Sequence, residues 1–313
     1  MSTVLWLAAM AGGTAAIVWG AERFTEHLAD ASNRLGVTAF ALAVLLAGAE
    51  PEELATVVTA SARGVDGVAF GDVIGANAAI ITVALGVGAW TATIPFGPRI
   101  RRYAIGGLAA GVLAAAFMWD GVIGRVEATV LVASYVGFIG AIWIAERRPP
   151  AMGEVAELDE ELDEGGRVGI DLVWVVAGLA ALTAGSIVLV EGVRQITDIE
   201  QTQTRLGLTV VGFATAFELV VLAWSAGRHG ITEAVVAGVV GSYAYNMTMS
   251  LGAGALVAPI SIDDSAILHA PLIVMLALMA VAIVLAVRHD QLDRRDAIIL
   301  FAGYPIFVLV TLA

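Results

Sequence analysis

Apolar residues follow one another along this chain in blocks about as long as a bilayer is thick, and polar residues gather in short clusters between them. Runs of that kind lie near 4–20, 36–60, 68–91, 103–119, 123–145, 171–192, 204–228, 232–257, 267–287 and 296–312. A helix rises about 1.5 Å per residue, so roughly 20 residues cross the hydrocarbon. Lipid offers the backbone no hydrogen bonds, and a run of this length satisfies its own only as a helix. The expected fold is therefore an all-α membrane protein with ten transmembrane helices. The first run has the length of a signal-peptide core, but no basic segment precedes it, so it counts as a helix.

Composition agrees. The 313 residues are 59% hydrophobic and 14% charged, more apolar surface than a water-soluble fold of this size can bury. Every basic residue apart from four histidines is an arginine. With the N-terminus outside, Arg23, Arg34, Arg99, Arg101, Arg102, Arg147, Arg148, Arg167, Arg228, Arg288, Arg294 and Arg295 face the cytoplasm, and only Arg63, Arg125, Arg194 and Arg205 face out. This excess of positive charge inside predicts both termini outside the cell membrane. A net charge of −13 without a lysine fits a salt-adapted, halophile-like surface, and GC-rich codon usage in an acidic protein would explain it as well.

The longest polar stretch, 146–169, carries Leu158-Asp159-Glu160-Glu161-Leu162-Asp163-Glu164-Gly165-Gly166. It lacks the ligand and glycine spacing of an EF-hand and reads as a solvated linker. It divides the chain into a first five-helix unit (1–145), the linker (146–169) and a second five-helix unit (170–313). An odd number of spans turns the second unit upside down relative to the first, the plan of an inverted repeat. The two halves share sequence. Arg34-Leu35-Gly36-Val37-Thr38 returns as Arg205-Leu206-Gly207-Leu208-Thr209. At an offset of 166, Glu52 falls on Glu218, Gly75 on Gly241, and Leu85-Gly86-Val87-Gly88 on Leu251-Gly252-Ala253-Gly254.

Candidate chemistry sits inside the apolar runs. Glu50, Glu52 and Glu53 flank Pro51, and each ionised group in hydrocarbon costs about 2.5–3.5 kcal/mol on insertion scales. Few arginines lie in the runs to pair with them, which leaves a bound cation as the natural counter-charge. Pro51 breaks or kinks the helix and frees carbonyl oxygens beside the carboxylates. In an unbroken helix Glu50 and Glu53 would lie about 60° apart with Glu52 on another face, so the three would not all point inward. In the second half Thr215 and Glu218 share a face, as do Ser242 and Asn246 one helix on. The counterpart segment of the first half, Gly75-Ala76-Asn77-Ala78-Ala79-Ile80, offers Asn77. Oxygen donors of this kind suit sodium and calcium. The chain has no cysteine, which excludes disulfides and thiolate sites. His27, His229, His269 and His289 lie near helix ends without zinc-ligand or Ser/His spacing, so no enzyme and no cofactor is expected, nor a nucleic-acid partner.

At these residues the chain resembles the cation/calcium antiporter superfamily, which includes sodium/calcium and proton/calcium exchangers. That superfamily carries two inverted repeats, each with a Gly-Thr-Ser-Leu-Pro-Glu-like segment and a Gly-Ser-x-x-x-Asn/Asp segment. The resemblance implies that Glu52 and Glu218 are the paired cation ligands, joined by Thr215, Ser242 and Asn246. It departs where Gly48, Ala49 and Ala214 replace hydroxyl residues, where Ala76 and Ile80 replace Ser and Asn, and where Phe217 replaces Pro. Glu50 and Glu53 are additions. The implied function is exchange of calcium, or a similar cation, for sodium by alternating access. Proton/calcium exchange and a non-transporting descendant are the alternatives.

Overall fold

The computed structural model describes residues 3–35, 50–146, 168–229 and 232–313. Eight helices among these are long and apolar enough to cross a membrane: Val4–Leu28, Asp66–Thr91, Pro98–Met118, Arg125–Ile144, Ile170–Ile196, Glu200–His229, Ala266–His289 and Arg294–Leu312. They fall on the first, third to seventh, ninth and tenth predicted runs. Most of the second run, 36–49, lies outside the described residues, as do Gly48, Ala49 and linker residues 147–167. The eighth run is helical from Thr232 to Val257. Helix α1 (Thr3–Leu35) continues well past the apolar run at 4–20. Hydropathy marks only the part in lipid, and the polar turns beyond it still form helical contacts such as Arg23–Glu26 at 2.7 Å.

After α1 come α2 (Pro51–Ala62), α3 (Asp66–Ala79), a π turn (Ile80–Ala84) and α4 (Leu85–Thr91). Strand β1 (Ile94–Pro95), α5 (Pro98–Met118), β2 (Val122–Ile123) and α6 (Arg125–Glu146) complete the first half. The second half opens with α7 (Val168–Ile196) and α8 (Glu200–Leu206), followed by a π turn (Gly207–Val211), α9 (Gly212–Thr215) and α10 (Phe217–His229). Next are α11 (Thr232–Tyr245), a π turn (Asn246–Ser250), α12 (Leu251–Val257), β3 (Ile260–Ser261), α13 (Ala266–His289), β4 (Gln291–Leu292) and α14 (Arg294–Leu312). The π turns at 80–84 and 246–250, the helices after them and strands β1 and β3 are all spaced by the same 166 residues as the sequence matches.

Packing is two-fold in pattern. Where α2 rests on α12, α10 rests on α4; where α6 rests on α12, α14 rests on α4; and α5 meets α11 as α13 meets α3. The strands obey the same exchange, since β1 pairs with β4 and β2 with β3, both antiparallel. Each pair closes one end of the bundle. At one end Phe96 N donates to Asp290 O at 2.8 Å, and Arg101 pairs with the Asp290 carboxylate. At the other, Ser261 N donates to Asp66 and Asp263 N to Glu200. Outside the spans, Asp293 caps α14, and the N–H groups of Arg295 and Asp296 hold its carboxyl below the ordinary range.

The solvent pattern is that of a protein in lipid. Val4, Val126, Ile144, Val173 and Leu309 stand exposed on the outer helices, while Asp72, Asn77, Ser242 and Asn246 are fully buried. Residues 66–91 form the most enclosed of the eight spans. Two glycines explain how closely α3 lies to the second half. A Cβ on Gly75 would come within 2.3 Å of Leu208 O, and one on Gly212 within 2.4 Å of Ala76 N. Backbones meet directly there, as small residues allow between membrane helices.

Candidate cation site

Helix α2 starts at Pro51, where a missing N–H costs nothing because the first turn has no acceptor for it. Glu50 precedes the helix with φ −117° and ψ 85°. This corrects the expectation drawn from an unbroken helix. Because Glu50 departs from helical geometry, all three carboxylates turn inward: Glu50, Glu52 and Glu53 are buried, and each offers one oxygen within 4.8 Å of the others. Glu52 and Glu53 occupy the first turn of α2, where the helix dipole favours negative charge.

The far end of α2 is tied to the second half. Ser61 Oγ donates to Gly254 O at 2.8 Å and to Ala258 O at 2.7 Å. Along its length Thr56 Oγ1 meets Ser186 Oγ of α7 at 3.3 Å. These bonds fix where the carboxylates of the first turn sit. Ser242 Oγ of α11 reaches them and donates to Glu50 Oε1.

Asn246 begins the π turn after α11 and is buried, with Ser250 Oγ donating to its Oδ1 at 3.4 Å. A π turn leaves the regular i to i−4 ladder, and such turns occur often at functional sites. Asn77 is buried on α3, its Nδ2 donating to Val73 O at 2.9 Å. Thr215 ends α9, one residue before the chain turns at Ala216 and restarts as α10 at Phe217. At the offset of 166, Ala216 is the counterpart of Glu50, so α2 and α10 begin at equivalent places in the two halves. Glu218 stands in the first turn of α10, half-buried with Oε2 inside, and is outside the group of three glutamates.

Sequence reasoning missed Asp72. It is fully buried on α3, and Thr215 Oγ1 donates to its Oδ1 at 2.9 Å. The signal was present: an ionisable residue inside the run at 68–91 demands the same explanation as Glu50 to Glu53. Among the described residues, the buried polar and charged side chains are acidic or neutral, with no arginine or histidine.

Apolar spans enclosing carboxylates, hydroxyls and amides at the crossing of two related halves make this a polytopic membrane protein built to handle cations. Residues 5–144 and 170–313 match the family model for the sodium/calcium exchanger protein, and the chain belongs to that family, whose members are multi-pass membrane transporters that exchange cations. The putative antiporter CaxA of Alkalimonas amylolytica is 24% identical over 287 residues, 90% of each chain. An uncharacterized membrane protein of Methanocaldococcus jannaschii is 22% identical over 293 residues, 93% of this chain and 90% of that one. Among solved structures, the sodium-calcium exchanger NCX_Mj soaked with 10 mM Na+ and 10 mM Sr2+ has a TM-score of 0.63 at 19% identity, covering 98% of this chain and 99% of that one. The same exchanger soaked with zero Na+ and Ca2+ gives 0.61 at 18% identity over the whole of both chains. At that identity the likeness is one of fold.

Proposed function

We propose that this protein is a secondary active antiporter that exchanges calcium, or a similar cation, for sodium by alternating access. The observation that carries this is the convergence of Glu50, Glu52 and Glu53, buried within 4.8 Å of one another, with Ser242 of the other half hydrogen-bonded to Glu50. Calcium takes six to eight hard oxygens, and Glu52, Glu218, Glu50, Glu53, Ser242, Asn246, Thr215 and Asn77 are the donors we assign to it and to sodium. The proposal includes ten helices in two inverted five-helix units, 1–145 and 170–313, joined by the acidic linker, with both termini outside.

The mechanism follows from charge. A site filled with cations is neutral and can be occluded in the low dielectric of the bundle, whereas an empty one buries several negative charges. Only the filled site crosses easily, so movement one way by calcium is matched by return of the competing ion. The experiment is calcium flux in proteoliposomes. Load them with calcium, collapse the proton gradient with an ionophore and add external sodium: calcium release is expected. No release would remove sodium as the coupling ion. Proton exchange is the second reading, favoured by Ala76, Ile80 and Ala214 where the related pattern has oxygen donors, and by the extra carboxylates. It predicts calcium uptake that depends steeply on pH and ignores sodium.

A further inference from the structure

A groove between α1, α7, the 207–217 segment and α14 stands apart from the cation site and has a volume of about 630 Å³. Thr209, Phe213 and Phe217 line it turn by turn, and Tyr304 and Val308 of α14 run beside them in the opposite direction. Leu7, Met10 and Thr14 of α1 supply the other wall. The rings of Phe213 and Tyr304 lie 5.4 Å apart and those of Phe213 and Phe217 6.3 Å, so one wall is aromatic. The hydroxyls in the lining donate to oxygens of the protein itself. Thr14 Oγ1 donates to Met10 O at 3.1 Å, Thr209 Oγ1 to Arg205 O at 2.7 Å and Tyr304 OH to Thr209 O at 3.1 Å. The lining side chains therefore leave no free donor, and the groove suits hydrocarbon. Leu7, Val210 and Phe217 are exposed, so it opens toward lipid.

One end of the groove carries a positive charge. Thr209 lies one turn from Arg205 and Val308 one turn from Leu312, and Arg205 Nη1 donates to Leu312 O at 3.3 Å. Arg205 makes no ion pair among the described residues, and its Nε has no hydrogen-bond partner there. We propose that this groove binds an anionic phospholipid, with the phosphate on Arg205 and one hydrocarbon tail against Phe213, Phe217 and Tyr304. Guanidinium pairs strongly with phosphate oxygens, and basic residues at a membrane surface select anionic headgroups. From Arg205 to Phe217 the chain advances about 18 Å, at 1.5 Å per residue, which gives a long slot for a single tail. Its inner end reaches Phe213, Ala214 and Phe217, on either side of the turn at Ala216.

The net charge of −13 repels anionic lipid from the protein as a whole, so selective retention reports a local site. Purify the full-length protein in a neutral detergent and add phosphatidylglycerol or phosphatidylcholine with the same tails. Count the lipid held per chain by native mass spectrometry. One phosphatidylglycerol per chain is expected, saturating at a concentration about tenfold below that for phosphatidylcholine, the gain from one charge-assisted pair. Arg205→Gln, which removes the charge and keeps a donor, should abolish that preference. Ala11→Phe, which puts a ring into the groove, should lower retention of both lipids. Equal binding of the two lipids by the unaltered protein overturns the proposal, as does an unchanged preference in Arg205→Gln or undiminished retention in Ala11→Phe. Lipid-free pairs of chains would assign the groove to a second copy and overturn it too.

Discussion

Glu50 shows how a single residue outside helical geometry changes a site. Its non-helical backbone lets its carboxylate meet those of Glu52 and Glu53, and Ser242 then holds it from the opposite half. Glu52→Gln and Glu218→Gln each keep volume and remove a charge, so calcium flux in proteoliposomes is expected to drop to background while insertion and purification stay normal. Near-normal flux through Glu218→Gln would remove that residue from the site. Glu50→Gln and Ser242→Ala address the bond between halves. Both should weaken calcium binding, by about tenfold for each 1.4 kcal/mol of lost interaction, as read by dialysis. Unchanged affinity in both would leave Glu50 without a binding role.

Interruption of helices is the organising device at the scale of elements. Pro51 starts α2, Ala216 separates α9 from α10, and π turns break the regular ladder at 80–84, 207–211 and 246–250. Each places polar groups or helix ends inside an apolar bundle. The contact of α3 with the 207–212 segment depends on glycine. Gly75→Ala would set a Cβ 2.3 Å from a backbone oxygen that has little room to yield. Overpacking of this kind costs about 1–3 kcal/mol, and it pushes Asp72 away from Thr215. The expected result is a lower unfolding temperature in detergent together with weaker calcium binding. Gly137, in α6, has nothing within 4 Å, so Gly137→Ala should leave the melting temperature unchanged or raise it through helix propensity.

For the molecule as a whole, exchange between halves sets which loops share an end. Arg205 Nη1 donates to Leu312 O at 3.3 Å, placing the start of α8 beside the end of the chain. The proposed orientation, drawn from the arginine distribution, puts that end outside. Because the chain has no cysteine, each introduced one is unique. Ala313→Cys should react in intact cells with a membrane-impermeant maleimide, and exposed Arg102→Cys should react only after lysis. The reverse pattern would invert the orientation.

The apolar runs alone determined the membrane class and, among the described residues, eight of the ten expected spans, because in lipid a long hydrophobic segment has no alternative to a helix. The offset of 166 was legible as well, and the same spacing separates the π turns and strands that follow them. Glutamates in apolar runs announced a charged interior. What pattern could not supply was direction. Helical periodicity set Glu52 on a different face from Glu50 and Glu53, and only the non-helical backbone of Glu50 turns them together. Asp72 was passed over because a lone acid in one run shows its meaning only beside Thr215, 143 residues away. Periodicity is a property of neighbours along the chain, whereas a site is made by contacts between distant segments, and those follow from how closely glycine-lined backbones pack.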